Sequence, residues 1–545
     1  MQASRHRALM PILHDDLLWD IFLLNTHPDF TYHDSDFPVI ESGYRPLTTA
    51  RHCSQVCRQW RSIYLSSPSI WGRLIYLDSL QQQKDDWWKE VVARTGEASL
   101  WVYGEAWPRN MLDFPFPFLQ KNWRRVQRLF ITDNSNSGSI TLSPLDRQKM
   151  WAFLKEPAPR LESIRICMSG SVTTLPVCQL SDDCPLLRSF GIFDGTYKFP
   201  INTSWLRNLS SVAFPHSCTT EEILNALRRM PELVCVTISN FAGTDSEISN
   251  HQGYPQIILP KLRMLALRGN LRTAGIVLQC IKPSADCCIT ITRLLNVRVP
   301  GGDHLEEYEQ YEKGLTSHVM SYFSQHPPSA IKLHFKAHQR DILSLESHPA
   351  TRSAGLDYYD LQRFAIELYS PSSSLLQKLI ASASFSRVTT LRVIPSFIIR
   401  TPAPDMVSIL EPFTSLTTFS TEDGILRSLL KYPERTAALF PTLVTLEVTR
   451  RWREKPTQQI GVLAHEKFLK LRKEIGRPIS ILDLGSVLKL QRDRNHFEFE
   501  HPGLLVKWSR MIDGEWRTEE YRCGDGHPEK LRFSSVVEIL EAEQS

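Results

Sequence analysis

Two apolar rhythms run along this chain. Up to residue 74, large apolar residues recur every three or four positions, the period of a helix with one buried face. From residue 98 to residue 484 another unit takes over, an L-x-x-L-x-L pattern that returns roughly every 29 residues and reads as a structural repeat.

The first rhythm predicts three helices. Leu13, Leu17, Ile21 and Leu24 share one helical face, and Asp15 and Asp16 suit the positive end of a helix dipole, which places a helix from about residue 14 to 24. Ala50, Cys53, Val56 or Cys57, Trp60, and Ile63 or Tyr64 line one face of a second helix, with Arg51, Arg58 and Arg61 mostly off it. Ser66-Ser67-Pro68 then reads as a stop and restart, Ser67 able to cap and Pro68 at the first position of a third short helix carrying Ile70, Trp71 and Leu74. A module of this size has a small core and leaves apolar side chains for a partner.

The second rhythm has clear copies starting at residues 126, 161, 187, 209, 233, 262, 330, 361, 388, 443 and 479, and weaker ones at 98, 286 and 416. In each clear copy, the third and fifth residues after the start are apolar and alternate with residues facing the other way, the signature of a short strand. The intervening segments read as helices. The clearest is 219–230, where Thr219 and Glu222 form a capping box and Pro231 ends the helix. Six copies carry proline two residues before their start (Pro159, Pro185, Pro231, Pro260, Pro328 and Pro441), where it stops the preceding helix. The longest step, from 286 to 330, holds an acidic helical stretch and reads as an insertion. Units that cannot bury their own apolar face favour an α/β solenoid over a doubly wound sheet.

On Leu17, Leu18, Ile21 and Phe22, then Val56, Cys57, Arg58, Trp60 and Arg61, then Pro68, Ser69 and Trp71, the opening segment resembles the F-box in the form common in fungal families. His14 stands where that family usually has proline, and residues 25–46 form a long first loop without metal-ligand spacing. The remainder resembles the leucine-rich repeats that follow the box in many F-box proteins. The implied fold is a three-helix F-box over residues 9–75, an irregular leucine-rich-repeat solenoid over 95–490, and a C-terminal cap over 491–545. That cap is expected to be a hairpin around Asp513-Gly514 followed by a short helix from Ser534. An asparagine eight residues after the start, which links turns in regular leucine-rich repeats, occurs only at Asn134 and Asn270.

The resemblance implies a substrate-recognition subunit of a SKP-cullin-F-box ubiquitin ligase, bound to a SKP-family adaptor and through it to cullin and RING subunits. Leu13, Leu17, Leu18, Ile21, Val56 and Trp60 are the expected adaptor contacts. Substrate contacts are expected on the concave strand face, at Arg165, Phe193, Arg268, Arg392 and Glu447, and in a basic segment beginning Arg450-Arg451-Trp452-Arg453. A repeat scaffold uncoupled from any ligase is the alternative.

Composition narrows the remaining classes. A net charge of +4 on 545 residues gives no bulk attraction to nucleic acid or membrane, and no apolar run reaches the length of a membrane span. The apolar stretch near the N-terminus is too short for a signal peptide, so the expected compartment is cytoplasm or nucleus, and two glycosylation sequons near residue 205 are chance matches. Eleven scattered cysteines without CxxC spacing predict neither a disulfide framework nor a metal site, and Cys53 and Cys57 are expected as small buried residues. His465-Glu466 lacks the second histidine of a zinc motif, and no phosphate-binding loop or nucleophile elbow is present. The expectation is a non-catalytic protein without cofactor.

Overall fold

The computed structural model describes residues 13–26, 30–31, 39–40, 46–80, 86–106, 114–134, 144–168, 180–193, 199–240, 255–284, 286–295, 305–337, 341–348, 364–369, 379, 383–396, 405–449, 464–485, 494–495, 501–512 and 515–533. The chain divides into two compact units, residues 1–263 with 280–284, and residues 264–279 with 285–545.

The first unit opens with helices. α1 (Asp15–Leu24) starts at His14, whose Nδ1 accepts from the Asp16 amide at 3.4 Å. The second helix expected over 50–64 is two helices, α2 (Pro46–Val56) and α3 (Arg58–Ser66). Cys57 between them is extended, and its Sγ accepts from the Trp60 amide at 3.5 Å, so it caps α3. The break lets α3 turn Trp60 and Tyr64 onto Phe22, with ring centroids 5.0 and 4.3 Å away, which offsets the lost helical continuity with aromatic packing. Cys57 is therefore exposed and Cys53 half-buried, contrary to the expectation that both are buried. α4 (Pro68–Gly72) begins at proline as expected, but Ser67 does not cap it; its hydroxyl donates back to Ile63 O at 2.6 Å. The loop expected over 25–46 contains a short antiparallel pair, β1 (Phe30–Thr31) with β2 (Val39–Ile40).

A parallel sheet follows, in which each strand pairs with the next: β3 (Ile75–Tyr76), β4 (Leu100–Ala106), β5 (Val126–Asp133), β6 (Ser163–Met168), β7 (Ser189–Phe193), β8 (Ser211–Phe214) and β9 (Cys235–Asn240). Register aligns Ile75, Val102, Leu129, Ile164, Phe190, Val212 and Val236 in one row across seven strands, and all are buried. This row is the third position of each repeat, so the repeat unit is real. The copy placed at Ala98 is one residue early, because Val102 rather than Trp101 sits opposite Leu129. Asn134 carries out the turn linkage: its amide donates to Ala106 O at 2.9 Å and its side chain to Glu105 at 3.0 Å.

The connections are helical, as expected, but several end in or consist of 3₁₀ segments. The helices Pro115–Asn122 and Pro144–Met150 end in 3₁₀ segments, Trp123–Arg125 and Trp151–Lys155, while Ser204–Asn208 is a 3₁₀ segment alone; Trp123, Trp151 and Trp205 fill the core. The segment expected at 219–230 is helix α5 (Thr220–Leu227), with the Thr219–Glu222 capping box present.

In the second unit β10 (Met264–Asn270) pairs in parallel with β11 (Cys288–Leu295). The acidic insertion contains α6 (Leu305–Gln325), which buries Leu315, Val319 and Phe323; Gly275 meets its Tyr311 so closely that a Cβ there would lie 2.7 Å from the tyrosine. Three strands then depart from repeat order: β12 (Ala330–Ala337), β13 (Asp341–His348) and β14 (Phe364–Tyr369). β14 lies beside β11, and β13 is antiparallel to both β14 and β12. β12 then pairs in parallel with β15 (Thr390–Ser396). The antiparallel β13 was not expected, and it reverses the neighbour order of the copies at 330 and 361. Ile331 and Leu333 sit opposite Leu391 and Val393, so the copy placed at Ala330 starts two residues earlier.

Order then resumes through β16 (Thr418–Thr421), β17 (Thr445–Val448) and β18 (Ile481–Asp483) to β19 (Leu505–Ile512), all parallel. β19 and the antiparallel β20 (Glu515–Arg522) form the expected hairpin. Its turn at 513–514 and the helix expected from Ser534 lie outside the described residues. Within each unit the architecture is an α/β repeat of mainly parallel strands joined by helices and turns. Among the described residues no helix is long and apolar enough to cross a membrane.

Candidate docking face and open sheet faces

α1 is amphipathic in an unusual sense: both of its sides are apolar. Leu18 (2% exposed) and Phe22 (0%) face inward, held by Trp60 and Tyr64. On the outer side Leu17 (53%), Ile21 (41%) and Leu24 (64%) continue from Leu13 (44%) as one exposed stripe at helical spacing. Gln59 Nε2 donates to Asp15 Oδ1 at 2.6 Å, which ties the start of α3 to the start of α1. Val56 (62% exposed) lies three residues before that link, and Leu65 on α3 is exposed as well. Of the six expected adaptor contacts, Leu13, Leu17, Ile21 and Val56 are therefore open to a partner, Trp60 is half-buried behind them, and Leu18 belongs to the core. Leu24 was legible as part of the helical spacing, whereas nothing in the sequence reading singled out Leu65.

The strand face opposite the core carries the repeat's fourth position. In the first unit this row reads Tyr76, Tyr103, Phe130, Arg165, Gly191, Ala213 and Thr237. It begins aromatic and ends small. Arg165 is half-buried with its guanidinium 5.6 Å from the Phe130 ring, and Nη2 donates to Ser211 Oγ at 3.5 Å. Phe193 is buried rather than presented, its ring 3.0 Å from where a Cβ on Gly191 would stand. Beside this row, Trp101 sits opposite Arg128 and donates from Nε1 to Gln127 at 2.8 Å.

In the second unit the matching row reads Arg392, Ser420, Glu447, Asp483, Lys507 and Glu520, with Lys507 and Glu520 paired at 3.7 Å. Arg392 and Glu447 therefore share one row with a strand between them, and Arg268 lies on β10 opposite Thr292. Arg450, Arg451 and Arg453 lie outside the described residues. The result is a mixed-charge strip suited to a polar partner rather than to a strongly charged one.

The histidine of the His465-Glu466 pair has a structural place. Helix α8 (Ala464–Glu474) starts against α7 (Asp423–Leu429), and the Asp423 carboxylate accepts from the amides of Ala464 and His465 at 3.2 and 3.1 Å and contacts His465 Nδ1 at 2.8 Å. Burial would raise the Asp423 pKa, but the hydrogen bonds and charge of His465 and the Ala464 amide outweigh it and hold the carboxyl at about 2. This is an N-cap delivered from 41 residues away. Arg472 on the same helix is buried and donates to the carbonyls of Leu439, Phe440 and Arg477 at 3.1 to 3.2 Å.

No known family's sequence profile matches this chain, and no curated protein is significantly similar to it. Among solved structures, the leucine-rich repeat-containing protein LegL7 from Legionella pneumophila is similar at 12% identity over 63% of this chain and 96% of that one, with a TM-score of 0.27. At that score the likeness decides nothing, and the repeat architecture rests on the strand register.

Proposed function

We propose that this protein is the substrate-recognition subunit of a SKP-cullin-F-box type ubiquitin ligase, with the N-terminal helices as the F-box. The observation that carries the reading is the exposed apolar stripe of α1, Leu13, Leu17, Ile21 and Leu24, on a helix whose other side is already fixed in the core. Burying the exposed half of each such side chain on a partner contributes about 1 kcal/mol apiece. His14 supports the match where the sequence departs from it. Its φ of −62° is the value a proline ring would impose, so a proline would fit this position without a change of backbone.

On this reading the adaptor, with cullin and RING subunits behind it, binds the helices, and a protein target binds the open sheet faces. The protein performs no chemistry. It raises the local concentration of the target's lysines near a ubiquitin-charged enzyme. Co-expression with a SKP-family adaptor tests this: wild type should co-purify with it, and Leu17→Glu with Ile21→Glu should not. Failure of the folded wild type to bind would leave the repeats as an uncoupled binding scaffold.

A further inference from the structure

Trp101 stands between two arginines. Arg73, the C-cap of α4 just before β3, and Arg128, on β5, have their guanidinium carbons 4.3 and 4.1 Å from the indole centroid. Both arginines are half-buried, whereas Trp101, Tyr76 and Tyr103 beneath them form a buried aromatic cluster joined by Phe130. Among the described residues neither arginine makes an ion pair with a carboxylate, and the nearby Glu162 is engaged by the Gln127 amide at 2.7 Å. Burial depresses the Arg73 pKa and the charge of Arg128 depresses it further, which Tyr103 and Glu162 offset only in part. Folding thus fixes two neighbouring cations on a rigid aromatic platform; Arg128 also hydrogen-bonds Tyr103, and the remaining N–H groups of the two planar forks are the ones a ligand would use.

We propose that Arg73 and Arg128 form a subsite for an extended acidic peptide carrying carboxylates on residues i and i+2. The spacing argument is geometric. The two cations can be no farther apart than their two distances to the ring laid end to end, and side chains two residues apart on an extended chain are separated by ~6.6 Å, which falls within that limit. Each carboxylate then meets one fork in the bidentate geometry guanidinium favours. Adjacent acidic residues would point to opposite sides of the peptide and engage one fork only. The proposal rests on the reading of the open sheet face as the target-binding surface and names what that surface reads.

The test is fluorescence anisotropy with the full chain and a labelled Gly-Ser-Glu-Thr-Glu-Ser-Gly peptide, with adaptor binding measured on the same preparations. Expected is saturable binding that weakens at least tenfold when both glutamates become glutamine, when they are made adjacent, or when either Arg73→Gln or Arg128→Gln is introduced. Arg128→Lys, which keeps the charge but loses the fork, should weaken binding by a smaller factor. Equal binding of the glutamine peptide, or binding unchanged in both arginine variants, overturns the proposal. So does binding only when the glutamates are replaced by phosphoserine. Absence of peptide binding by the wild type, with its adaptor binding intact, counts against the subsite alone, and absence of adaptor binding by the wild type, with peptide binding intact, counts against the ligase reading alone.

Discussion

The two sides of α1 make opposite predictions. Leu17→Asp removes a side chain that is 53% exposed, so the folded chain loses little packing, and with the lower helix propensity of aspartate the cost is about 1 kcal/mol. That corresponds to a fall in melting temperature of roughly 2–4 °C. For adaptor binding the same change forfeits ~1 kcal/mol of apolar burial and forces a carboxylate into an apolar contact at a cost of several kcal/mol. At ~1.4 kcal/mol per factor of ten, affinity should fall more than a hundredfold. Phe22→Ala is the converse. Phe22 is fully buried against Trp60 and Tyr64, and truncation costs about 3–5 kcal/mol of stability. Calorimetry of the first unit's transition and titration with purified adaptor measure the two quantities separately. Comparable unfolding by both variants, or unchanged adaptor affinity in Leu17→Asp, would refute the division of α1 into a structural and a docking side.

Three further outcomes follow from the second unit and the thiols. The carboxyl of Asp423, held at about 2 against an ordinary 3.8, contributes about 2 kcal/mol that is present above pH 4 and lost as pH falls toward 2; the stability gap between wild type and Asp423→Asn in urea titrations should close over that range. Arg472→Met leaves the carbonyls of Leu439, Phe440 and Arg477 without their donor, and should cost about 3 kcal/mol or more by the same titration. Burial pushes the Cys184 and Cys288 thiols up to about 12, so iodoacetamide at pH 8 should modify exposed Cys57 well before either, as read by mass spectrometry.

What the sequence disclosed and what it hid have physical explanations. Every one of the fourteen expected strand positions is a strand, because a core-facing residue at fixed alternation is the one feature a parallel repeat cannot vary. Start positions were less legible where both sheet faces are apolar. Trp101 counted with the row of Leu129, and register moved it to the other sheet face, where it is buried among Tyr76, Tyr103 and the two arginines; that is why the arginine sandwich was not foreseen. The antiparallel β13 was invisible because its alternation matches that of any strand, and direction is set by pairing rather than by composition. Helical spacing through Cys57 predicted one helix, since tertiary packing of Trp60 and Tyr64 on Phe22 leaves no mark in the spacing. For the docking face, the sequence identified the stripe but not its side: only burial separates Leu17 from Leu18.

Amide hydrogen exchange with and without a SKP-family adaptor tests the central claim most directly. The account predicts that the adaptor protects residues 13–24 and 50–66 and leaves the strands β5 to β9 unchanged. Protection of the strand faces with none on α1, or no protection anywhere at adaptor concentrations of tens of micromolar, would contradict it.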